Sequence, residues 1–168
     1  MGDPMRATDD VEFMKRAFRL ASAARDQPGT SPIGCVIVKN GKLISEAVNE
    51  VGIRNDPTAH GEIVAIRAAA QFLCSPDLDG ATLYSTLQPC GMCTMASIWA
   101  GIGKIVYGAT REQVHQMYFE DKHLDTLNFV KDAYRDSLQI KPGVLASQCA
   151  KLYFKPGDFV PDSMQKNK

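Results

Sequence analysis

The sequence lacks several features that would place it in a special class of protein. Its 168 residues contain no run apolar enough to span a bilayer, and the first ten residues hold no apolar segment, so no membrane span or secretory signal is expected. Nineteen basic residues balance nineteen acidic ones, so the summed charge gives no strong attraction to nucleic acid or anionic membranes. No repeat or biased tract is present. The simplest expectation is one globular domain in the cytoplasm.

Cysteine is also scarce, with five residues in the chain. An odd count without an export signal favours reduced thiols over a disulfide framework. Cys35, Cys74 and Cys149 have apolar neighbours in the sequence and are interpreted as small, buried hydrophobic side chains. The other two, Cys90 and Cys93, form a Cys-x-x-Cys pair.

Apolar spacing predicts strands and helices in alternation. A first amphipathic helix is predicted after the possible caps Asp9 and Asp10, and the Asn40-Gly41 turn between two apolar runs predicts a β-hairpin. A second helix is predicted to open at Pro57 and a third near Pro89. The segments ATLYSTL and KIVYG, on either side of the third helix, predict two further strands.

The pattern is weaker in the last third of the chain. Thr110 and Gln113 form a capping-box pattern for a further helix, residues 115–134 are expected to be broken helix and loop, and GVLASQCAKLYF predicts a last helix. Strands separated by helices imply parallel crossovers, here joined to an antiparallel hairpin. The prediction is an α/β fold with one mixed sheet covered on both faces. All 168 residues form one predicted domain, with residues 1–8 and 160–168 as flexible tails.

Two short motifs, DPTAHGEIVA and LQPCGMC, contain the residues suited to metal chemistry. Cys90 and Cys93 are three residues apart, so on a helix they share a face and can bind the same ion. Their expected place in a first turn favours the thiolate form. His60 is expected in the first turn of another helix. If the two helix starts converge, these side chains form three corners of a tetrahedral zinc site.

Glu62 is the second notable residue of the first motif. Residues two apart on a helix are about 200° apart around its axis, so His60 and Glu62 can share only a target beyond the helix end. His60 would bind the metal while Glu62 reaches the water at its open fourth position. One alternative is a structural site closed by a fourth ligand, for which the sequence offers His115, His123 or Cys74; another is two unrelated cysteines. The paired motifs favour a catalytic site.

His-x-Glu followed by Pro-Cys-x-x-Cys is the signature of zinc-dependent nucleobase deaminases. The segment from Gly34 to Gly108 resembles the cytidine-deaminase-like superfamily. DPTAHGE and LYSTLQPCGMC are similar to its branch of guanine deaminases, fungal-type cytosine deaminases and tRNA-adenosine deaminases. The resemblance implies a three-layer α/β/α fold with a mixed, mostly parallel five-stranded sheet. It also implies a homodimer, because relatives in this branch usually associate through helices beside the zinc site.

Carried over residue by residue, the resemblance implies hydrolytic deamination with zinc held by His60, Cys90 and Cys93. Glu62 matches the proton shuttle. The implied substrate-binding residues are Asn49, Ala59, Gly61, Trp99 and Asp121. Asn49 matches an asparagine that bonds the substrate base, and Gly61 stands where an alanine is usual, with its N–H available to a substrate carbonyl. For Trp99 and Asp121 the alternatives are a core aromatic and a solvated charge.

The resemblance also ranks the substrates. Trp99 in ASIWAG and Asp121 in YFED resemble segments of bacterial guanine deaminases, and a carboxylate suits the N–H donors of an amino-pyrimidinone edge. The closing segment of those enzymes is not recognisable in YFKPGDFVPDSMQKNK. GVLASQCAKL resembles the closing helix of tRNA-adenosine deaminases, whose arginine-bearing aromatic ending is absent. The predicted substrate is therefore guanine or a related aminated heterocycle. Adenosine in tRNA and free cytosine are the alternative substrates, and a zinc-stabilised binding module is the alternative without catalysis.

Overall fold

The computed structural model describes residues 7–119, 130 and 138–164. Within these residues, five strands form one sheet in the order β2-β1-β3-β4-β5. The strands are β1 Ser31–Lys39, β2 Lys42–Asn49, β3 Thr82–Leu87, β4 Lys104–Ala109 and β5 Gln139–Lys141. The mixed five-stranded sheet confirms the expected fold class.

The sheet has two antiparallel and two parallel strand pairings. β1 runs antiparallel to both β2 and β3, whereas β3, β4 and β5 run parallel to one another. Four of the five described strands therefore run in the same direction, as a mostly parallel sheet requires, and β1 is the reversed strand that uses both of its edges in antiparallel pairs. The turn between β1 and β2 is the predicted one, with φ of 52° at Asn40 and 72° at Gly41. The short β5 was not predicted from its sequence.

The described α-helices are α1 Ala7–Ala24, α2 Val51–Arg54, α3 Gly61–Leu73, α4 Gly91–Trp99 and α5 Ala146–Cys149. Short 3₁₀ turns occupy Arg111–Gln113, Gln116–Tyr118, Ala150–Leu152 and Asp162–Met164. The predicted last helix is thus a single α-turn followed by a 3₁₀ turn. The predicted capping box exists, since Gln113 Oε1 accepts the Thr110 N–H at 2.9 Å, but it caps only a 3₁₀ turn. No described helix is both long and apolar enough to cross a membrane.

Helices cover both faces of the sheet, as the alternation of side chains along each strand requires. On one face, α1 approaches β1 so closely that a Cβ on Gly34 would overlap the carbonyl oxygen of Ala17. α5 lies on this same face, where Cys149 packs against Gly108 of β4. On the opposite face, Ser45 of β2 donates a hydrogen bond to a carbonyl of α3. The architecture is three layers, α/β/α.

Asp10 lies inside α1, so the predicted capping role of Asp9 and Asp10 is wrong. Its carboxylate is 1% exposed and accepts hydrogen bonds from three donors: Tyr84 Oη at 2.8 Å, Lys104 Nζ at 2.9 Å and Lys141 Nζ at 2.6 Å. Burial opposes ionisation of Asp10, but these donors outweigh it and lower the pKa of the carboxyl group. The network ties the first helix to the three strands of the parallel half.

Regular structure extends into both segments predicted to be flexible tails. Ala7 already belongs to α1, and the 3₁₀ turn Asp162–Met164 lies in the second segment, where Val160 is also buried. Cys35 and Cys149 are buried as predicted, whereas Cys74 is exposed. The prediction for Cys74 is wrong because this residue ends α3 in a left-handed conformation, with φ of 51°, and lies at the surface.

Candidate metal centre and active site

Two helix starts meet at one point, as the two motifs predict. His60 is the N-cap of α3 and Cys90 is the N-cap of α4, and both have extended backbones, with φ/ψ of −63°/152° and −70°/174°. The helix predicted from Pro57 begins later, because the Asp56 side chain accepts the N–H of Thr58 at 2.8 Å and closes a turn first. His60 therefore precedes the first helical turn rather than lying in it.

The three ligand atoms are spaced as a tetrahedral zinc site requires. His60 Nδ1 lies 3.6 Å from Cys90 Sγ and 3.6 Å from Cys93 Sγ, and all three atoms lie within 4.8 Å of one another. Zn–S bonds of about 2.3 Å and Zn–N bonds of about 2.0–2.1 Å, at tetrahedral angles, place sulfur and nitrogen about 3.6 Å apart. These residues fit zinc without rearrangement.

No fourth protein ligand joins this cluster among residues 7–119, 130 and 138–164. His115 Nδ1 instead accepts the N–H of Met117 at 3.1 Å, and Cys74 is exposed at the far end of α3. His123 lies outside the described residues. Structural zinc sites are closed by four protein ligands, whereas catalytic sites use three and leave a position open. The described ligand set has the composition of a catalytic site.

Glu62 lies beside the metal ligands with its side chain buried. Its Oε1 accepts a hydrogen bond from Ser85 Oγ at 3.0 Å, and its Oε2 is 3.5 Å from Cys93 Sγ. Burial raises the pKa of the Glu62 carboxyl group, and the nearby Cys90 raises it further, while His60 acts in the opposite direction. An acid held next to the metal ligands can exchange protons with a molecule bound there.

The two thiols have unequal pKa values because one donates to the other. The hydrogen bond from Cys93 lowers the pKa of the Cys90 thiol to about 4, despite the opposing effect of burial. The same bond, together with burial, raises the pKa of the Cys93 thiol. One thiolate is therefore formed readily, and the second forms when a cation replaces its proton.

A pocket of about 110 Å³ opens beside His60. Its described lining consists of Ser31, Ile33, Asn49, Val51, Pro57, His60, Met117 and Tyr118. Asn49 is buried, and its Oδ1 accepts the N–H of Val51 at 3.2 Å. The predicted substrate-binding asparagine and the metal ligand His60 thus share one cavity.

Ala59 and Gly61, two further predicted substrate contacts, flank His60 and are buried. The carbonyl of Ala59 accepts the N–H of Glu50 at 2.9 Å, so it is already engaged within the protein. A Cβ on Gly61 would lie 3.0 Å from the carbonyl oxygen of Ile33. The absence of a side chain at Gly61 therefore lets α3 begin close to β1.

Of the last two predicted contacts, the structure places only Trp99, and this chain does not bring it to the site. Trp99 ends α4, nine residues after Cys90, and its side chain is 77% exposed to solvent. It is neither a pocket residue of this chain nor the buried core aromatic of the alternative interpretation. Asp121 lies outside the described residues.

Three residues of the site are not predicted by the motifs of the sequence: Ser85, Met117 and Tyr118. A signal existed for Ser85, because strand alternation places it on the α3 face of β3. Met117 and Tyr118 come from a 3₁₀ turn in a segment with no clear periodicity, so only the fold brings them to the pocket.

Sequence comparison relates this site to known enzymes. The family model for the cytidine and deoxycytidylate deaminase zinc-binding region matches residues 7–109. A guanine deaminase of Bacillus subtilis is 39% identical over 112 residues, which cover 67% of this chain and 72% of that protein. A tRNA-specific adenosine deaminase of Buchnera aphidicola subsp. Schizaphis graminum is 35% identical over 148 residues, which cover 88% of this chain and 93% of the relative.

Structural comparison agrees with the sequence matches. A structure from studies of A-to-I editing by tRNA:A34 deaminases at the wobble position of transfer RNA has a TM-score of 0.70 and 33% identity. It covers 84% of this chain and 98% of that one. The predictions of a deaminase fold, of zinc as cofactor and of hydrolysis at a C–N bond are confirmed. The chain belongs to the zinc-binding family of cytidine and deoxycytidylate deaminases.

Proposed function

We propose that the protein hydrolytically deaminates a free nucleobase or a related aminated heterocycle, with guanine as the first candidate. The observation that supports this most directly is the buried carboxylate of Glu62 beside a three-ligand metal centre. Burying an ionisable group costs free energy, and a purely structural zinc site would gain nothing from it. A hydrolytic centre needs such a group to move protons.

Each residue of the centre has a separate proposed task. His60, Cys90 and Cys93 would hold the zinc ion, which when bound would supply a water molecule acidified to a pKa of about 7. Glu62 would accept the two protons of that water in turn and deliver the first to the ring nitrogen and the second to the departing ammonia. Its raised pKa suits a group that must both accept and donate. Ser85 fixes one carboxylate oxygen, so that the other serves the reaction.

The pocket favours a single heterocycle as substrate. Its volume of about 110 Å³ is well below the roughly 300–1,000 Å³ of sites for drug-sized ligands. Because Oδ1 of Asn49 is engaged by Val51, its amide nitrogen is the end that can donate to a substrate carbonyl. The N–H of Gly61, in the first turn of α3, is a second proposed donor. In both guanine and cytosine, a ring carbonyl lies one ring nitrogen away from the amidine carbon that bears the amine.

Guanine is placed before adenosine in tRNA because of the charge balance of the chain. With nineteen residues of each sign, the protein has no net positive charge to attract a polyanion. The similarity to guanine deaminase of Bacillus subtilis supports a small purine.

Deamination of adenosine in tRNA is the second candidate function. The similarity to the tRNA-specific adenosine deaminase of Buchnera aphidicola extends over 148 residues, against 112 for guanine deaminase. That longer match is the specific observation in its favour. Cytosine stays a third candidate because it too has a ring carbonyl separated by one ring nitrogen from the amidine carbon that bears the amine.

The test is a substrate panel with the zinc-loaded protein. Guanine, cytosine, adenine and a tRNA anticodon stem are incubated separately, and ammonia release is followed together with the ultraviolet change. We expect turnover of guanine, and its loss in Glu62→Gln with the zinc content unchanged, since Glu62 is not among the metal ligands. Glu12→Gln, at an exposed acid of α1, is the matched control and is expected to keep full activity.

The other outcomes separate the alternatives. Turnover of the anticodon stem alone would assign the protein to tRNA editing. Turnover by Glu62→Gln at the wild-type rate would remove this residue from the mechanism. No turnover of any substrate by zinc-loaded protein would favour a zinc-stabilised binding module.

We further infer that two copies of the chain associate through α4. Met92 and Trp99 are seven residues apart, so they share one face of this helix, and they are 37% and 77% exposed. Large apolar side chains on an exposed helix face are typical of interaction surfaces. Light scattering on the wild type should give the mass of a dimer, and Trp99→Glu should give that of a monomer. A monomeric wild type at micromolar concentration would contradict the inference.

A further inference from the structure

The 3₁₀ turn Gln116–Tyr118 supplies two walls of the pocket that lie outside both zinc motifs. One is Met117 and the other is the half-buried ring of Tyr118. Side chains that line a pocket without touching the metal decide which substrates fit. This turn has only three residues, so contacts from other segments must hold it in position.

Tyr118 is held by the segment that follows the Ala150–Leu152 turn. Its ring meets the ring of Tyr153 edge-on, with centroids 5.3 Å apart and planes at 71°. The backbone also links the two segments, since His115 N–H donates to the Phe154 carbonyl at 2.7 Å. Phe154 N–H in turn donates to Tyr118 Oη in a long bond of 3.4 Å. The pocket wall is therefore attached to Tyr153 and Phe154.

Tyr153 is anchored in the centre of the sheet. Its Oη lies 2.6 Å from Oγ1 of Thr86, and both residues are buried. Thr86 Oγ1 also accepts the N–H of Gly34 at 3.0 Å. Thr86 follows Ser85 on β3, so the two side chains point to opposite faces of the sheet. One strand thus anchors the Glu62 carboxylate on one face and the support of the pocket wall on the other.

We propose that Tyr118 is a specificity-determining residue of the deaminase and that Tyr153, bonded to Thr86, is the residue that positions it. The inference depends on the proposed function, because it assigns the substrate-selecting wall of that same site. Removing the Tyr118 ring would enlarge a pocket of about 110 Å³ and admit heterocycles with larger substituents. Removing only the Tyr153 hydroxyl would loosen the wall without opening it.

The experiment compares free bases with their nucleosides, guanine with guanosine and cytosine with cytidine. Tyr118→Ala should raise the nucleoside-to-base ratio of kcat/KM at least about tenfold, whereas Tyr118→Phe, which keeps the ring, should keep the wild-type ratio. Tyr118→Leu gives the same test should the alanine variant fail to fold. Tyr153→Phe should raise KM for the base about threefold to tenfold while kcat stays within about twofold.

Tyr84→Phe is the matched control for Tyr153→Phe. Tyr84 is also a buried tyrosine whose hydroxyl has one buried partner, Asp10 at 2.8 Å, but it lies away from the pocket. The Tyr84→Phe variant should have a lower melting temperature than the wild type and an unchanged KM for the base. If the wild type is active but Tyr118→Ala leaves the nucleoside-to-base ratio of kcat/KM unchanged, this inference alone is overturned. Equal changes of KM in Tyr153→Phe and Tyr84→Phe would overturn it as well. A zinc-loaded wild type inactive on every base would overturn the proposed function and the inference with it.

Discussion

Ser85→Ala tests whether the acid beside the metal must be held in one orientation. Ser85 is completely buried and donates to Glu62 Oε1 at 3.0 Å. A hydrogen bond to a charged acceptor contributes about 1.5–3 kcal/mol, and each 1.4 kcal/mol corresponds to about tenfold in rate. If the bond acts mainly on the transition state, kcat should fall about 10- to 100-fold with little change in KM. Steady-state ammonia release measures both constants, and Ser85→Thr, which keeps a hydroxyl group, should recover most of kcat.

Ser45→Ala is a closely matched control for this prediction. Ser45 is a buried serine of β2 that also forms a hydrogen bond with α3. Its hydroxyl donates to the Ala65 carbonyl at 2.8 Å and not to Glu62. Both alanine variants should lose about 1 kcal/mol of unfolding free energy, and only Ser85→Ala should lose kcat. The positioning role of Ser85 would be refuted if Ser85→Ala and Ser45→Ala both kept the wild-type kcat, or if both lost kcat by the same factor.

Three further predictions follow from the metal site and the core. Cys90→Ser should abolish stoichiometric zinc binding, measured by atomic absorption, while Cys74→Ser, at an exposed thiol, should keep it. Asp10→Asn should lower the unfolding free energy by about 2–3 kcal/mol at pH 7. Breaking a fully buried ion pair costs about 3–5 kcal/mol, and the loss here should be smaller because the side chain of one lysine partner, Lys141, is 41% exposed. The pKa of Asp10 is lowered from 3.8, so its contribution is present at neutral pH and is lost as the pH falls below about 4; urea titrations should show the gap between wild type and variant closing there. Gly34→Ala should lower the unfolding free energy by about 3 kcal/mol or more in the same assay, because its Cβ would overlap the carbonyl oxygen of Ala17. A variant as stable as the wild type would show that α1 does not pack against Gly34 in this way.

Local signals in the sequence were reliable where neighbouring residues determine the structure. Asn40-Gly41 predicted the hairpin because both positions adopt positive φ. The spacing of Cys90 and Cys93 predicted a shared face because that spacing is a property of any helix. Predictions failed where distant residues decide: the position of Asp10 before an apolar pattern predicts a cap, whereas its partners are up to 131 positions away.

The sequence by itself determined the ligand set, the acid next to it and the family, because these depend on residue types at fixed spacing within short segments. Only the tertiary structure decided that the two helix starts meet at 3.6 Å between nitrogen and sulfur, and that Ser85 bonds Glu62. It also decided that Tyr118 forms a wall of the pocket through Tyr153 and Thr86. The physical reason is that these contacts join residues 23 to 67 positions apart, and their distances are set by the packing of helices on a shared sheet rather than by local chain geometry.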